Sequence, residues 1–200
     1  MHIADDFPIV SNQIDRTELR VIVCELQRVL DAGVSGDVVE LGCYVGTTSL
    51  FLQRVLAKTD RILHVYDSFE GLPPKARQDA SPIGEQFKQG ELTASKAQLI
   101  KNFKQAGLPL PVIRKAWFES LKEADMPSSI AFAFLDGDFY TSIMASLKVV
   151  WPKLSLGATV VVDDYQTEAL PGVAQAIKDW SVNHSFTFRV EASLALLTIR

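Results

Sequence analysis

Four apolar runs in this chain finish at an acid. The first reads Val38-Val39-Glu40-Leu41-Gly42 and the second Val65-Tyr66-Asp67-Ser68. The third reads Phe134-Leu135-Asp136-Gly137-Asp138 and the fourth Val161-Val162-Asp163-Asp164. An ionised carboxylate only accepts hydrogen bonds, so it suits hydroxyls, backbone N–H groups and hard cations. Three or four of them brought together would repel one another, and a divalent cation with oxygen ligands relieves that repulsion. Asp136 and Asp138 are two residues apart and face one way if the chain there stays extended. A single Asp after a strand is readily explained as a helix cap; two such clusters on neighbouring strands fit a metal site better.

The turn after the first run carries Gly42, Tyr44 and Gly46. Glycine there lets the chain turn tightly and a ligand approach the backbone. Gly46 opens a helix with Thr47 or Thr48 as its expected cap. The third glycine of the dinucleotide fingerprint is missing, so the turn alone fits a plain strand–helix connection as well as a cofactor loop. Asp67 ends the second run about where an acid takes the ribose hydroxyls of a nucleoside-like cofactor, with a turn cap as the alternative. No Gly-x-Ser-x-Gly elbow occurs. His64 reads as a core residue and His2 and His184 as surface residues, none with a metal-ligand neighbour at useful spacing.

The elements that must position these residues alternate. Short runs at 38–41, 62–66, 112–113, 130–135 and 159–162 are continuous enough for strands buried on both faces. Helical spacing fills 47–58, 93–106, 141–154 and 172–182, with an amphipathic helix at 17–30 ahead of the first strand. Strands alternating with helices give a doubly wound, mostly parallel α/β sheet, whose ligands sit beyond the carboxyl ends of the strands. Runs at 186–190 and 194–199 suggest a closing antiparallel β-hairpin. Residues 70–90 hold Gly71, Pro73, Pro74, Pro82, Gly84 and Gly90, and a loop of that length after a strand end reads as a lid over the site.

Two hundred residues form one domain, with residues 1–36 as an N-terminal helical segment. The hydrophobic fraction of 48% and charged fraction of 22% are those of a soluble globular chain. A net charge of −4 disfavours nucleic acid as a partner. No run approaches the roughly 18 apolar residues of a membrane span, and the acidic start is not a secretory signal, so the cytoplasm is the expected location. Cys24 and Cys43 make no disulfide framework and read as reduced, semi-buried thiols.

Taken together, these residues resemble class I S-adenosylmethionine methyltransferases and, more narrowly, the macrocin O-methyltransferase (TylF-type) family, which methylates sugar hydroxyls on natural products. The first turn is also similar to that of catechol O-methyltransferases. The resemblance runs from about Asp37 to Ile199. It is carried most specifically by Tyr66-Asp67-Ser68-Phe69-Glu70-Gly71-Leu72-Pro73, by Leu135-Asp136-Gly137-Asp138-Phe139-Tyr140-Thr141-Ser142, by Asp163-Asp164-Tyr165 and by Trp117-Phe118-Glu119-Ser120-Leu121. It implies a Rossmann-like sheet and S-adenosylmethionine as cofactor. Glu40, Gly42, Tyr44 and Gly46 would line the cofactor, Asp67 with Ser68 would hold the ribose, and Trp117 and Phe118 would flank the adenine. Asp136, Asp163 and Asp164 would bind magnesium, and Asp138 would be the general base toward a small-molecule hydroxyl. The stretch before the first strand is shorter than in the sugar-modifying relatives, which touches the acceptor pocket or a homo-oligomer contact. Other readings are a cofactor-binding module without catalysis and, from Asp136-Gly137-Asp138 alone, a haloacid-type phosphatase or a metal-dependent glycosyltransferase.

Overall fold

Register decides where the acids go. The computed structural model describes residues 3–84 and 86–200, so His2 and, within the expected lid, Glu85 lie outside it. Five parallel strands are β1 (Asp37–Leu41), β2 (Leu63–Asp67), β3 (Val112–Lys115), β4 (Ile130–Leu135) and β5 (Leu154–Val162). The antiparallel pair β6 (Thr187–Glu191) and β7 (Leu194–Thr198) completes a sheet of order β3-β2-β1-β4-β5-β7-β6. This is the expected doubly wound, Rossmann-like sheet with a closing hairpin. Leu41 pairs with Tyr66 and Leu135, and Leu135 pairs with Val162. The next residue on each strand is therefore level with its neighbours: Gly42, Asp67, Asp136 and Asp163. The order reverses between β1 and β4, the switch point at which such sheets open a crevice.

Helices cover both faces. One core joins Val38, Val65, Phe132, Phe134 and Val161 to Leu19, Ile22 and Leu26 of α2 (Arg16–Asp31), Phe51 and Leu52 of α3 (Thr47–Leu56) and Leu99 and Phe103 of α4 (Lys96–Gln105). The other joins Val39, Leu41, Ala133, Leu135, Val160 and Val162 to Ile143 and Leu147 of α5 (Tyr140–Val150) and Val173 and Ile177 of α6 (Pro171–Ser181). Alternate strand residues fill alternate cores, as a period of two requires. No helix among the described residues is long and apolar enough to cross a membrane.

Several boundaries differ from expectation for local reasons. The helix expected to run to 154 ends at Val150, and a 3-10 turn over Trp151–Lys153 follows, because Pro152 cannot donate to continue the ladder. β5 starts at Leu154, five residues early. Gly157 (φ +84) lies at a register shift inside the strand. The helix expected from 93 begins at Lys96, with Ser95 as its cap. Cys24 is exposed and Cys43 buried, where both were expected semi-buried. His64 is half-buried with its Nε2 3.1 Å from Asp37 Oδ2. His184 is also partly buried, its ring stacked 3.9 Å from that of Trp180.

The N-terminal segment is fixed where it meets the crevice. Asp15 caps α2, accepting the N–H groups of Thr17 and Glu18, while Glu18 accepts the N–H of Asp15. Ser11 Oγ lies 2.8 Å from Thr47 Oγ1 at the start of α3. The Arg54 guanidinium sits 4.0 Å above the Phe7 ring. Removing the cap by Asp15→Ala should lower stability by about 1 kcal/mol in urea unfolding; an unchanged midpoint would mean that solvent satisfies those N–H groups equally well.

Candidate active site

At the switch point the turn after β1 passes close to the loop after β4. Gly42 (φ +92) lies so close under the Asp136 carbonyl that a Cβ there would overlap its oxygen. Glycine is required by that approach as well as by the backbone angle. Gly46 (φ +91) is itself the N-cap of α3, with no side-chain cap, so neither Thr47 nor Thr48 plays the expected capping role. A Cβ at Gly46 would collide with Leu99, and Asn102 Nδ2 donates to the Val45 carbonyl at 2.8 Å, so α4 clamps the same turn.

Asp67 ties this turn to the next. Its Oδ2 accepts the N–H groups of Cys43 (2.8 Å) and Tyr44 (3.3 Å), and its Oδ1 accepts that of Phe69 (2.6 Å). A carboxylate has about four acceptor positions, so one remains for a ligand in the pocket that Asp67 lines. Ser68 Oγ accepts from the Glu70 N–H and donates to the Gly71 carbonyl, so this hydroxyl shapes the following loop.

One pocket gathers Gly42, Tyr44, Asp67, Ser68, Trp117, Phe118, Asp136, Asp138 and Asp164. Glu40, Gly46 and Asp163 were expected with them and are not on its wall. Glu40 sits one residue before the strand end, opposite Val65 and Phe134, so it falls inside the sheet. Asp163 is buried beside the pocket and accepts its neighbour's N–H, that of Asp164, at 2.9 Å. The pocket also takes in Asn12 and Gln13, which carry no sequence signal because only the tertiary path of the N-terminal segment brings them there. Cys43, Leu72, Pro73, Phe87, Leu92, Glu119 and Ser142 complete much of the rest, most of them inside motifs already singled out.

Asp136, Asp138 and Asp164 each offer a carboxylate oxygen within 4.8 Å of the others. The chain does not stay extended between the first two. Asp138 has φ +58 and the Phe139 N–H returns to the Gly137 carbonyl at 2.5 Å, so a tight turn brings the carboxylates together. Asp164 has φ +57, and its Oδ1 accepts from Thr167 Oγ1 at 2.9 Å. Burial first, then the neighbouring carboxylates, pushes all of Asp136, Asp138 and Asp163 above the ordinary range. Asp164 is raised too, mainly by burial, against the Thr167 hydrogen bond. Positive φ at non-glycine residues is uncommon, yet Tyr44, Phe87, Leu92, Asp138 and Asp164 all show it and all line this pocket. Backbone strain of this kind persists where the surroundings over-determine it, and it clusters at functional sites.

Both ends of the 70–90 segment reach the pocket. Leu72 N–H donates to the Glu91 carbonyl and Gly90 N–H to the Leu72 carbonyl, both at 2.9 Å, which closes the segment at its base. Leu72, Pro73 and Phe87 face the cavity. Inside the segment Lys75 donates to the Gln86 carbonyl, and Ser81 Oγ tethers it by donating to the Glu168 carbonyl at 2.8 Å.

Glu40 supplies a test of the core beneath the site. Its side chain is fully buried, Ser49 Oγ donates to one oxygen, and the other has no partner among the described residues. Burial is the main cause that pushes it from 4.5 to about 8, against the Ser49 hydrogen bond. The folded state thus keeps a proton that the unfolded chain releases, so stability falls as pH rises from 4.5 through about 8. Glu40→Gln removes that ionisation and keeps an acceptor for Ser49. Its stability relative to wild type should rise by on the order of 3–5 kcal/mol between about pH 5 and pH 8.5 in urea unfolding, and a difference independent of pH would place Glu40 in the ordinary carboxylate range.

The comparisons agree with this architecture. The family model for macrocin-O-methyltransferase (TylF) matches residues 2–192. The chain is 33% identical over 153 residues to the 8-demethyl-8-(2,3-dimethoxy-alpha-L-rhamnosyl)-tetracenomycin-C 4'-O-methyltransferase of Streptomyces olivaceus, covering 72% of this chain and 58% of that protein. It is 28% identical over 195 residues to the mycinamicin III 3''-O-methyltransferase of Micromonospora griseorubida, covering 92% of this chain and 75% of that one. The chain thus spans between about half and three quarters of the length of these relatives. In fold it is similar to the O-methyltransferase NovP, with a TM-score of 0.79 at 22% identity over 99% of this chain and 86% of that chain. A match over almost the whole length, on a sheet whose strand ends converge as described, shows that the chain belongs to the macrocin O-methyltransferase (TylF) family of class I S-adenosylmethionine methyltransferases.

Proposed function

We propose that this chain transfers a methyl group from S-adenosylmethionine to a hydroxyl of a small natural product, a sugar hydroxyl foremost, with a magnesium ion at its acids. One observation carries the reading: the turn pinned to Asp67 and the trio Asp136, Asp138 and Asp164 share a single pocket that both ends of the 70–90 segment reach. The relatives named above, by their names, methylate hydroxyls on a rhamnosyl-tetracenomycin and a mycinamicin.

The donor set fits a hard cation. Its oxygens are close together, and burial and mutual repulsion disfavour their charges, which a divalent ion with oxygen ligands would offset. Asp138 belongs to this set by position, while Asp163 stands behind it. When bound, the cation supplies Lewis acidity that makes an acceptor hydroxyl easier to deprotonate.

The chain's own residues do the positioning. The main chain at Gly42 to Tyr44 and the free acceptor position of Asp67 take the methionine and ribose parts of the cofactor, and the Trp117 and Phe118 rings flank its adenine. Leu72, Phe87 and Leu92 exclude water from the cavity, and Asn12 and Gln13 offer amide groups to polar parts of either ligand. A carboxylate oxygen of Asp138 accepts the hydroxyl proton. The acceptor oxygen then bonds to the methyl carbon as the carbon–sulfur bond breaks, its electron pair staying on sulfur. The products are a methyl ether and S-adenosylhomocysteine. Holding the two reactants in line supplies much of the acceleration.

Calorimetry with S-adenosylhomocysteine, followed by a transfer assay on a panel of glycosylated and hydroxylated small molecules, tests this. Cofactor binding without transfer to any member would favour a non-catalytic binding module, and no binding would end the reading. Excess chelator should abolish transfer and magnesium restore it; unchanged turnover in chelator would sink the metal. Asp138→Asn should keep S-adenosylhomocysteine affinity and lower turnover by roughly 10²- to 10⁴-fold; full activity would remove Asp138 from proton transfer.

A further inference from the structure

The start of α5 lacks a cap of its own. Its N-cap, Phe139, has no side chain able to accept a hydrogen bond, and it directly follows the loop that carries Asp136 and Asp138. The missing acceptor comes from the middle of the 70–90 segment. Asp79, only 1% exposed, accepts the Tyr140 N–H on Oδ1 at 2.7 Å and the Ala76 N–H on Oδ2 at 2.8 Å. A third element makes room for it. A Cβ at Gly172, in the first turn of α6, would overlap Asp79 Oδ1 and lie 3.0 Å from the Tyr140 nitrogen. Gly172 has ordinary helical angles, so its lack of a side chain answers to this contact rather than to backbone conformation. The same segment reaches the other acid loop, since Ser81 Oγ donates to the Glu168 carbonyl a few residues beyond Asp164.

We infer that Asp79 is a positioning residue: through the Tyr140 N–H it fixes the loop bearing Asp136 and Asp138, and so makes the fit of the cation site depend on the seating of the 70–90 segment. The inference rests on the reading that Asp136, Asp138 and Asp164 hold a cation. A buried carboxylate between two N–H groups has no cheap substitute. Asparagine can present an oxygen to Tyr140 only by presenting its NH₂ to the Ala76 N–H. The segment that reaches the pocket and the loop that binds the ion then settle together or not at all.

The test uses the full chain and manganese as the probe, with free ion followed by electron paramagnetic resonance. S-adenosylhomocysteine affinity is measured in parallel by calorimetry in chelator. In Asp79→Asn the manganese Kd should rise roughly tenfold while the S-adenosylhomocysteine Kd stays within about twofold. Gly172→Ala keeps the carboxylate but crowds it from the far side, and it should shift manganese in the same direction. Manganese affinity unchanged in both variants overturns the inference and leaves the cation reading intact. An equal loss of both affinities, or failure of both variants to fold by circular dichroism, makes Asp79 a general anchor and also overturns it. A wild-type chain that does not bind manganese overturns the cation reading, and this inference with it.

Discussion

Everything at the site follows from the passage of Gly42 beneath the Asp136 carbonyl. Parallel strands in register bring their ends to one level, but at the switch point β1 and β4 hand their chains to helices on opposite faces. The two outgoing loops must cross in a gap that admits no side chain on one of them. That crossing sets the distance between the turn pinned to Asp67 and the loop that carries Asp136 and Asp138. A wider gap would separate the two halves of the pocket.

Each half is then secured mostly by main chain. Asp67 gathers three N–H groups from two loops, α4 clamps the Val45 carbonyl through Asn102, and Asp79 accepts the first N–H of α5. These contacts explain why the pocket wall tolerates so many left-handed residues. Tyr44, Asp138 and Asp164 are held in costly backbone conformations by hydrogen bonds and packing from several elements at once. Such over-determination keeps like charges close together in a folded chain.

The sequence showed the sheet plainly, because strands buried on both faces read as near-continuous apolar runs, as at 130–135 and, but for Glu40, at 38–41. It showed the acids because strand ends are marked by a change from apolar to charged. It could not show their heights. Glu40 and Asp67 look equivalent along the chain, yet one stands opposite Phe134 inside the sheet and the other is the last residue of β2, level with Gly42 just beyond β1. Nor could spacing reveal that Asp138 turns back toward Asp136, since that depends on a left-handed residue no periodicity announces. Asn12, Gln13 and Asp79 were silent for a related reason. Each acts at a place set by segments distant in sequence, and none sits in a pattern of its own.

The grip of Asp67 on the first turn has a consequence for the side chains of that turn. Both contacts on that turn are to peptide nitrogens, at Cys43 and Tyr44. Any residue other than proline supplies the same donor. The side chains at 43 and 44 are thereby released from holding the turn by hydrogen bonds, and what restricts them instead is the burial of Cys43 in the core and the left-handed backbone of Tyr44. The shape of the turn then depends on the carboxylate across the crevice and on the glycines at either end. The main chain and one carboxylate thus keep the turn in place, while the side chains of the turn serve the core and the pocket wall.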